Sequence, residues 1–90
     1  MCLIATKDQE KAEKFILNSG IEVIEKHIRI GGAVSWYLAN GERWDWRRLD
    51  DGARGYRYYK AAVDEDIDME TFRLFVLPGC DLYCCHMEVI

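Results

Sequence analysis

Two glycine-bearing dipeptides, Gly31-Gly32 and Asn40-Gly41, punctuate the middle of the chain, and both are flanked by β-branched and aromatic residues. Two-residue turns between antiparallel strands need positive φ, which Gly and Asn adopt at little cost. The two dipeptides therefore predict three consecutive antiparallel strands, which restricts the chain to a sheet-containing fold. With two-residue loops, Ile28 faces Ser35 and Lys26 faces Tyr37 across the first turn. Tyr37 then faces Trp44, and Ser35 faces Trp46, across the second. Residues paired across strands share a face. One face thus collects Ile24, Ile28, Ile30, Tyr37, Trp44 and Trp46 and reads as the core side. The other collects Val23, Val34, Trp36 and Leu38 among Glu25, His27, Arg29, Arg43, Asp45 and Arg47.

The flanking segments complete the reading. Cys2 to Ala5 is a short buried strand, and Thr6-Lys7-Asp8-Gln9 fits a capping box that opens a helix. Ala12, Phe15 and Ile16 share one face of that helix, which Asn18-Ser19-Gly20 ends. Tyr56 to Val63 reads as a further strand. Thr71 to Leu77 is expected to be a strand, because Phe72, Leu74 and Val76 alternate with Arg73, Phe75 and Leu77; the competing reading is a helix capped by Asp68. Pro78-Gly79 turns into a final strand from Leu82 to Val89. The expectation is a single α+β domain over residues 1–90, with an N-terminal helix on a mainly antiparallel sheet of about five to six strands.

Composition narrows the function classes. The longest apolar run, Phe72 to Pro78, is interrupted by Arg73 and falls far short of the roughly 18 residues a membrane helix needs. The N-terminus turns charged at Lys7 and Asp8, too soon for a signal peptide. The four cysteines are then expected as reduced thiols in a soluble, cytoplasmic protein with no membrane partner. A net charge of −4 argues against a general nucleic-acid binder, which carries excess positive charge to displace counterions. Within it, Arg43 to Lys60 holds six basic residues against Asp45, Asp50 and Asp51, an excess of three positive charges. Asp64, Glu65, Asp66, Asp68 and Glu70 follow as an acidic block, read as a solvated face.

Candidate chemistry is sparse. Cys80, Cys84, Cys85 and His86 crowd together, but no C-x2-C pair exists, and neighbours on a strand point to opposite faces. These cysteines read as buried packing residues rather than metal ligands or a Cys–His nucleophile pair. His27 reads as a solvated histidine. No hydrolase, P-loop or dinucleotide motif is present. The expectation is a protein that is not an enzyme and needs no cofactor or metal.

One feature stands above this background. Seven of the eleven aromatic residues (Trp36, Tyr37, Trp44, Trp46, Tyr56, Tyr58 and Tyr59) fall in a 24-residue window interleaved with Arg43, Arg47, Arg48, Arg54 and Arg57. Trp, Tyr and Arg dominate binding hot spots, although Tyr37, Trp44, Trp46 and Tyr58 are also natural core residues. The predicted partner-binding set is Trp36, Arg43, Arg47, Arg54, Tyr56, Arg57 and Tyr59. It describes a module that docks on a host protein, in the manner of small regulators or inhibitors such as those encoded by phages. Single-stranded nucleic-acid binding is the first alternative. An acidic mimic that blocks a nucleic-acid-binding protein is the second, and a homodimer through the aromatic face is a third use of the same surface.

Overall fold

The computed structural model describes residues 1–50, 56–80 and 86–90. Its strands are β1 (Cys2–Ala5), β2 (Val23–Ile28), β3 (Val34–Leu38), β4 (Arg43–Trp46), β5 (Lys60–Val63) and β6 (His86–Val89). They form one six-stranded sheet in the order β2-β3-β4-β1-β5-β6. The fold is the expected small α+β domain, but the sheet is mixed rather than mainly antiparallel. The β2/β3 and β3/β4 pairs are antiparallel, while β4/β1, β1/β5 and β5/β6 are parallel. Strand β1 carries the reason: all four of its residues are buried. A short run that is apolar on both faces belongs in the parallel interior of a sheet covered on both sides.

Helix α1 (Gln9–Asn18) follows β1. Its N-cap is Asp8, whose side chain accepts from the Glu10 amide at 2.9 Å, so the predicted Thr6 capping box is displaced by two residues. Thr6 is diverted inward instead. It is fully buried, its hydroxyl donates to the Asp8 carbonyl at 2.6 Å, and the Trp46 indole donates to its carbonyl at 3.1 Å. The predicted stop holds: the Ser19 hydroxyl donates to the Ile16 carbonyl and Gly20 takes φ +73°. Ala12 and Ile16 are buried against the sheet, and Phe15 meets Trp44 edge-on at 5.1 Å.

The two hairpins are where the sequence reading slips. Both loops contain three residues, not two. The Leu38 amide donates to the Glu42 carbonyl around Ala39-Asn40-Gly41, and the Arg29 amide donates to the Ala33 carbonyl around Ile30-Gly31-Gly32. Three-residue loops place a positive-φ residue at the end, where Gly41 has φ +88° and Gly32 has φ +91°, and Gly31 before it also lies at φ +94°. Each partner strand is thereby shifted by one residue. Trp36 faces Lys26 and Trp44, Val34 faces Ile28 and Trp46, and Ser35 faces His27 and Asp45. A slip of one residue moves every paired side chain to the other face.

The core is therefore built differently from expectation. Trp36, Trp44 and Trp46 join Val34, Leu38, Cys2, Ile4 and Ala62 beneath α1 in one cluster. A second cluster on the opposite face holds Leu3, Ala5, Ala61, Tyr58, Val76 and Cys80. It is covered by α2 (Met69–Thr71), which runs on into a π-type stretch (Phe72–Val76) and a 3-10 turn (Leu77–Gly79). The strand expected over Thr71 to Leu77 is thus a helix. The Asp68 carboxylate accepts the Thr71 amide and hydroxyl, and Phe72 and Val76, four apart, face inward. Those two positions satisfy a strand and a helix alike, and the cap decides between them. Tyr58 makes only an isolated bridge to Cys80, so the strand expected from Tyr56 begins at Lys60. The final strand is described from His86 onward. No helix among the described residues is long and apolar enough to cross a membrane.

Candidate binding face

Strand β4 reads Arg43-Trp44-Asp45-Trp46, followed by Arg47. Its alternation sends both tryptophans under α1 and sets Arg43, Asp45 and Arg47 on the other side. Asp45 is fully buried there, opposite Ser35 of β3 and Leu3 of β1. A carboxylate removed from water must be paired and hydrogen-bonded. Arg43 grips it through Nε to Oδ1 at 2.9 Å and Nη2 to Oδ2 at 3.0 Å. Arg47 reaches the same Oδ2 through Nη2 at 3.0 Å. One carboxylate thus holds two guanidiniums in fixed positions.

The arrangement continues outward. Arg47 donates from Nε to the Tyr58 hydroxyl at 3.1 Å, and its guanidinium lies 3.6 Å from the centre of the Tyr56 ring. Burial pushes the Tyr58 hydroxyl up to about 12 despite the adjacent cation. Arg43 sits 5.6 Å from the centre of the Tyr37 ring, and its pKa is raised by the hydrogen bonds to Asp45. Ser35 Oγ accepts from Arg29 Nε at 2.9 Å, while Arg29 Nη2 donates to the Tyr37 hydroxyl at 3.2 Å. His27 meets Tyr37 edge-on at 5.4 Å and pairs with Glu25 at 3.2 Å. No buried side-chain nitrogen or oxygen among the described residues lacks a partner. The face carries Arg29, Arg43 and Arg47 against Asp45 and Glu25, and its cations are held rather than free to swing.

The predicted site residues separate on this frame. Arg43, Arg47 and Tyr56 come together around Asp45, but Arg47 is buried, enclosed by Asp45, Tyr58 and the Tyr56 ring, and so supports the surface rather than presenting itself on it. Trp36 does not join them: it is 1% exposed, in the first core cluster, and unavailable to any partner. The cause is the one-residue register shift, which carries its side chain through the sheet. Tyr59 is 43% exposed but lies on the α1 side, hydrogen-bonded to the Cys2 thiol. Arg57 is exposed and donates to the Pro78 carbonyl at 3.2 Å, beside the helical segment rather than the β4 cluster. Arg54 lies outside the described residues. Asp45, Ser35, Tyr37 and Arg29 were not in the predicted set. The signal for Asp45 was the Arg-x-Asp-x-Arg spacing, which with period two places a carboxylate between two guanidiniums on one face, whereas Ser35, Tyr37 and Arg29 join through the strand register.

Other candidate chemistry is less developed. Cys2 is buried, which pushes its thiol up, and the Cys80 thiol donates to the Val76 carbonyl at 3.4 Å. Cys84 and Cys85 lie outside the described residues. Among the described residues, no group of three His, Cys, Asp or Glu side chains could hold a metal ion. Comparison of the chain with known protein families, curated proteins and solved structures finds no match.

Proposed function

We propose that this domain is a protein-binding module, a small cytoplasmic regulator or inhibitor, that docks on a partner through Arg43, Tyr37 and Tyr56, with Arg47 buried behind them. The observation that carries the reading is the Asp45 clamp. Side chains fixed before binding lose little conformational entropy when the partner arrives, and Arg and Tyr are the side chains that concentrate binding energy. The Arg43 guanidinium has five donors, and among the described residues Asp45 and Ser35 take those on Nε and Nη2. Carboxylates or carbonyls on a partner suit the remainder.

The alternatives have less support. Single-stranded nucleic acid needs accessible rings for stacking, and Trp36, Trp44, Trp46 and Tyr58 are all buried. Mimicry by acidic charge needs free carboxylates. Asp64 is instead paired with Lys11 at 2.7 Å, and Asp68 caps α2 while pairing with Lys7 at 2.9 Å.

The test is capture of a partner from nuclease-treated lysate of the producing cells by the wild-type chain, Tyr37→Glu, Tyr56→Ala and the surface control Lys14→Glu. The proposal expects one protein retained by wild type and Lys14→Glu and reduced about tenfold or more by each tyrosine variant, as for a hot spot. A protein captured equally by all four, or lost on nuclease treatment, overturns it.

A further inference from the structure

Strand β2 ends the sheet, and its outer edge is paired with nothing among the described residues. Its exposed side chains include Ile24 at 62% and Ile28 at 74%, and Ile30 at the adjoining turn is fully exposed. An edge strand of this kind invites another strand unless something blocks it. Lysine is the usual block, but Lys26 is turned onto the α1 face, where it pairs with Glu13 and lies 5.9 Å from the centre of the Trp36 ring. It does not guard the edge.

The backbone shows which groups are offered. The Arg29 amide donates inward to Ala33 at 2.7 Å. Hydrogen-bonded pairs alternate along an antiparallel ladder, so His27 and Glu25 also turn their peptide groups toward β3. Lys26 and Ile28 therefore turn theirs outward. The bulge between Val23 and Glu25 breaks this regularity further down, leaving Lys26 and Ile28 as the regular outward pair.

We infer that this edge pairs with the β2 edge of a second copy of the chain, antiparallel about a two-fold axis perpendicular to the sheet. Residues directly opposite each other must then share a face, which leaves few registers. Placing Lys26 opposite its own copy sets two ammonium groups together, and placing Glu25 opposite its own copy sets two carboxylates together. Like charges directly opposed are destabilising. Placing Ile28 opposite its own copy shortens the overlap and makes no ion pair. The remaining register sets Lys26 opposite Ile28 and Glu25 opposite Arg29, with His27 meeting His27 at the axis. Both outward peptide groups are then hydrogen-bonded, two symmetry-related Glu25–Arg29 pairs form, and the exposed Ile28 of each copy is covered by the other's strand. Such a contact is isologous and closes at two copies. It leaves Arg43 and the Tyr37 ring of both copies on the same side of a continuous sheet, while Arg29, which donates to the Tyr37 hydroxyl, belongs to both surfaces.

Sedimentation equilibrium on the wild-type chain, Glu25→Arg and the Glu25→Arg/Arg29→Glu double variant tests the inference. The wild type is expected at twice the 10.5 kDa chain mass. Glu25 is exposed, so Glu25→Arg keeps the fold, opposes two arginines at each site, and weakens association by about tenfold or more. The double variant restores it. Amide exchange gives a second readout that no substitution can confound. Protection of the Lys26 and Ile28 amides rises with protein concentration, while that of the β6 amides does not. A wild-type monomer, mass that keeps growing with concentration through β2–β6 pairing, Glu25→Arg behaving as wild type, or Lys26 and Ile28 amides indifferent to concentration each overturns the inference.

Discussion

Trp36 and Tyr37 are neighbours in the chain and end on opposite sides of the sheet. Trp36 faces Trp44 beneath α1, whereas Tyr37 faces Arg43 on the polar side. The sequence suggests both as aromatic surface or core, since nothing in a single ring says which way it points. Within β4 the alternation was legible: Trp44 and Trp46 were placed together, apart from Arg43, Asp45 and Arg47, and the structure agrees. Trp36 was placed with the arginines only through the assumed loop length. Its burial makes a stability prediction in place of the binding one. Trp36→Ala is expected to cost about 3–5 kcal/mol in urea unfolding, the range for removing a large core aromatic. A loss below about 1 kcal/mol is what a surface ring gives and would return Trp36 to the candidate interface.

At the scale of elements, the hairpin loops govern the outcome. Asn40-Gly41 is a strong turn signal, yet the same dipeptide serves a two-residue loop or the last positions of a three-residue one. Which is used depends on how Trp36 and Trp44 pack under α1, and that is a long-range contact. Gly41 tests the local part. A Cβ there meets nothing within 4 Å, so any cost of Gly41→Ala comes from its φ of +88° alone. The variant is expected to lose about 1–2 kcal/mol, the cost of a left-handed conformation for an L-residue. Gly41→Asn should recover part of it, because Asn tolerates that region, and a fluorescence-monitored melt of both variants checks the order. The helical segment carries a related lesson. Phe72 and Val76 are compatible with both periods, and only the Asp68 cap and the cluster around Leu3 and Ala61 favour the helix.

For the whole molecule, Tyr58 ties the layers together: its ring packs in the second cluster and its hydroxyl accepts from Arg47, which holds Asp45. Its hydroxyl titrates near 12 in the native state because burial disfavours the phenolate, against about 10 in an unfolded chain. A native pKa above the unfolded one gives stability that is complete below about pH 10 and lost as pH rises through 12. Tyr59, held protonated by its hydrogen bond to Cys2, adds to the same limb. The prediction is a fall in stability between about pH 10 and 12 that is shallower in Tyr58→Phe, read from denaturant midpoints across that range. An equal slope in the variant would assign the alkaline limb elsewhere.

The chain by itself determined the class of the fold, the stop of α1 at Gly20, the presence of two hairpins and the division of β4 into a tryptophan side and a charged side. These are local matters of turn chemistry, capping and period-two alternation, which a short window of residues settles. Only the tertiary structure decided the parallel placement of β1 between β4 and β5, the register that buries Trp36, and the helix over residues 69–79. Each depends on contacts between segments distant in sequence, and in each the local pattern was satisfied equally by two arrangements. Packing against α1 and around Leu3 chose between them.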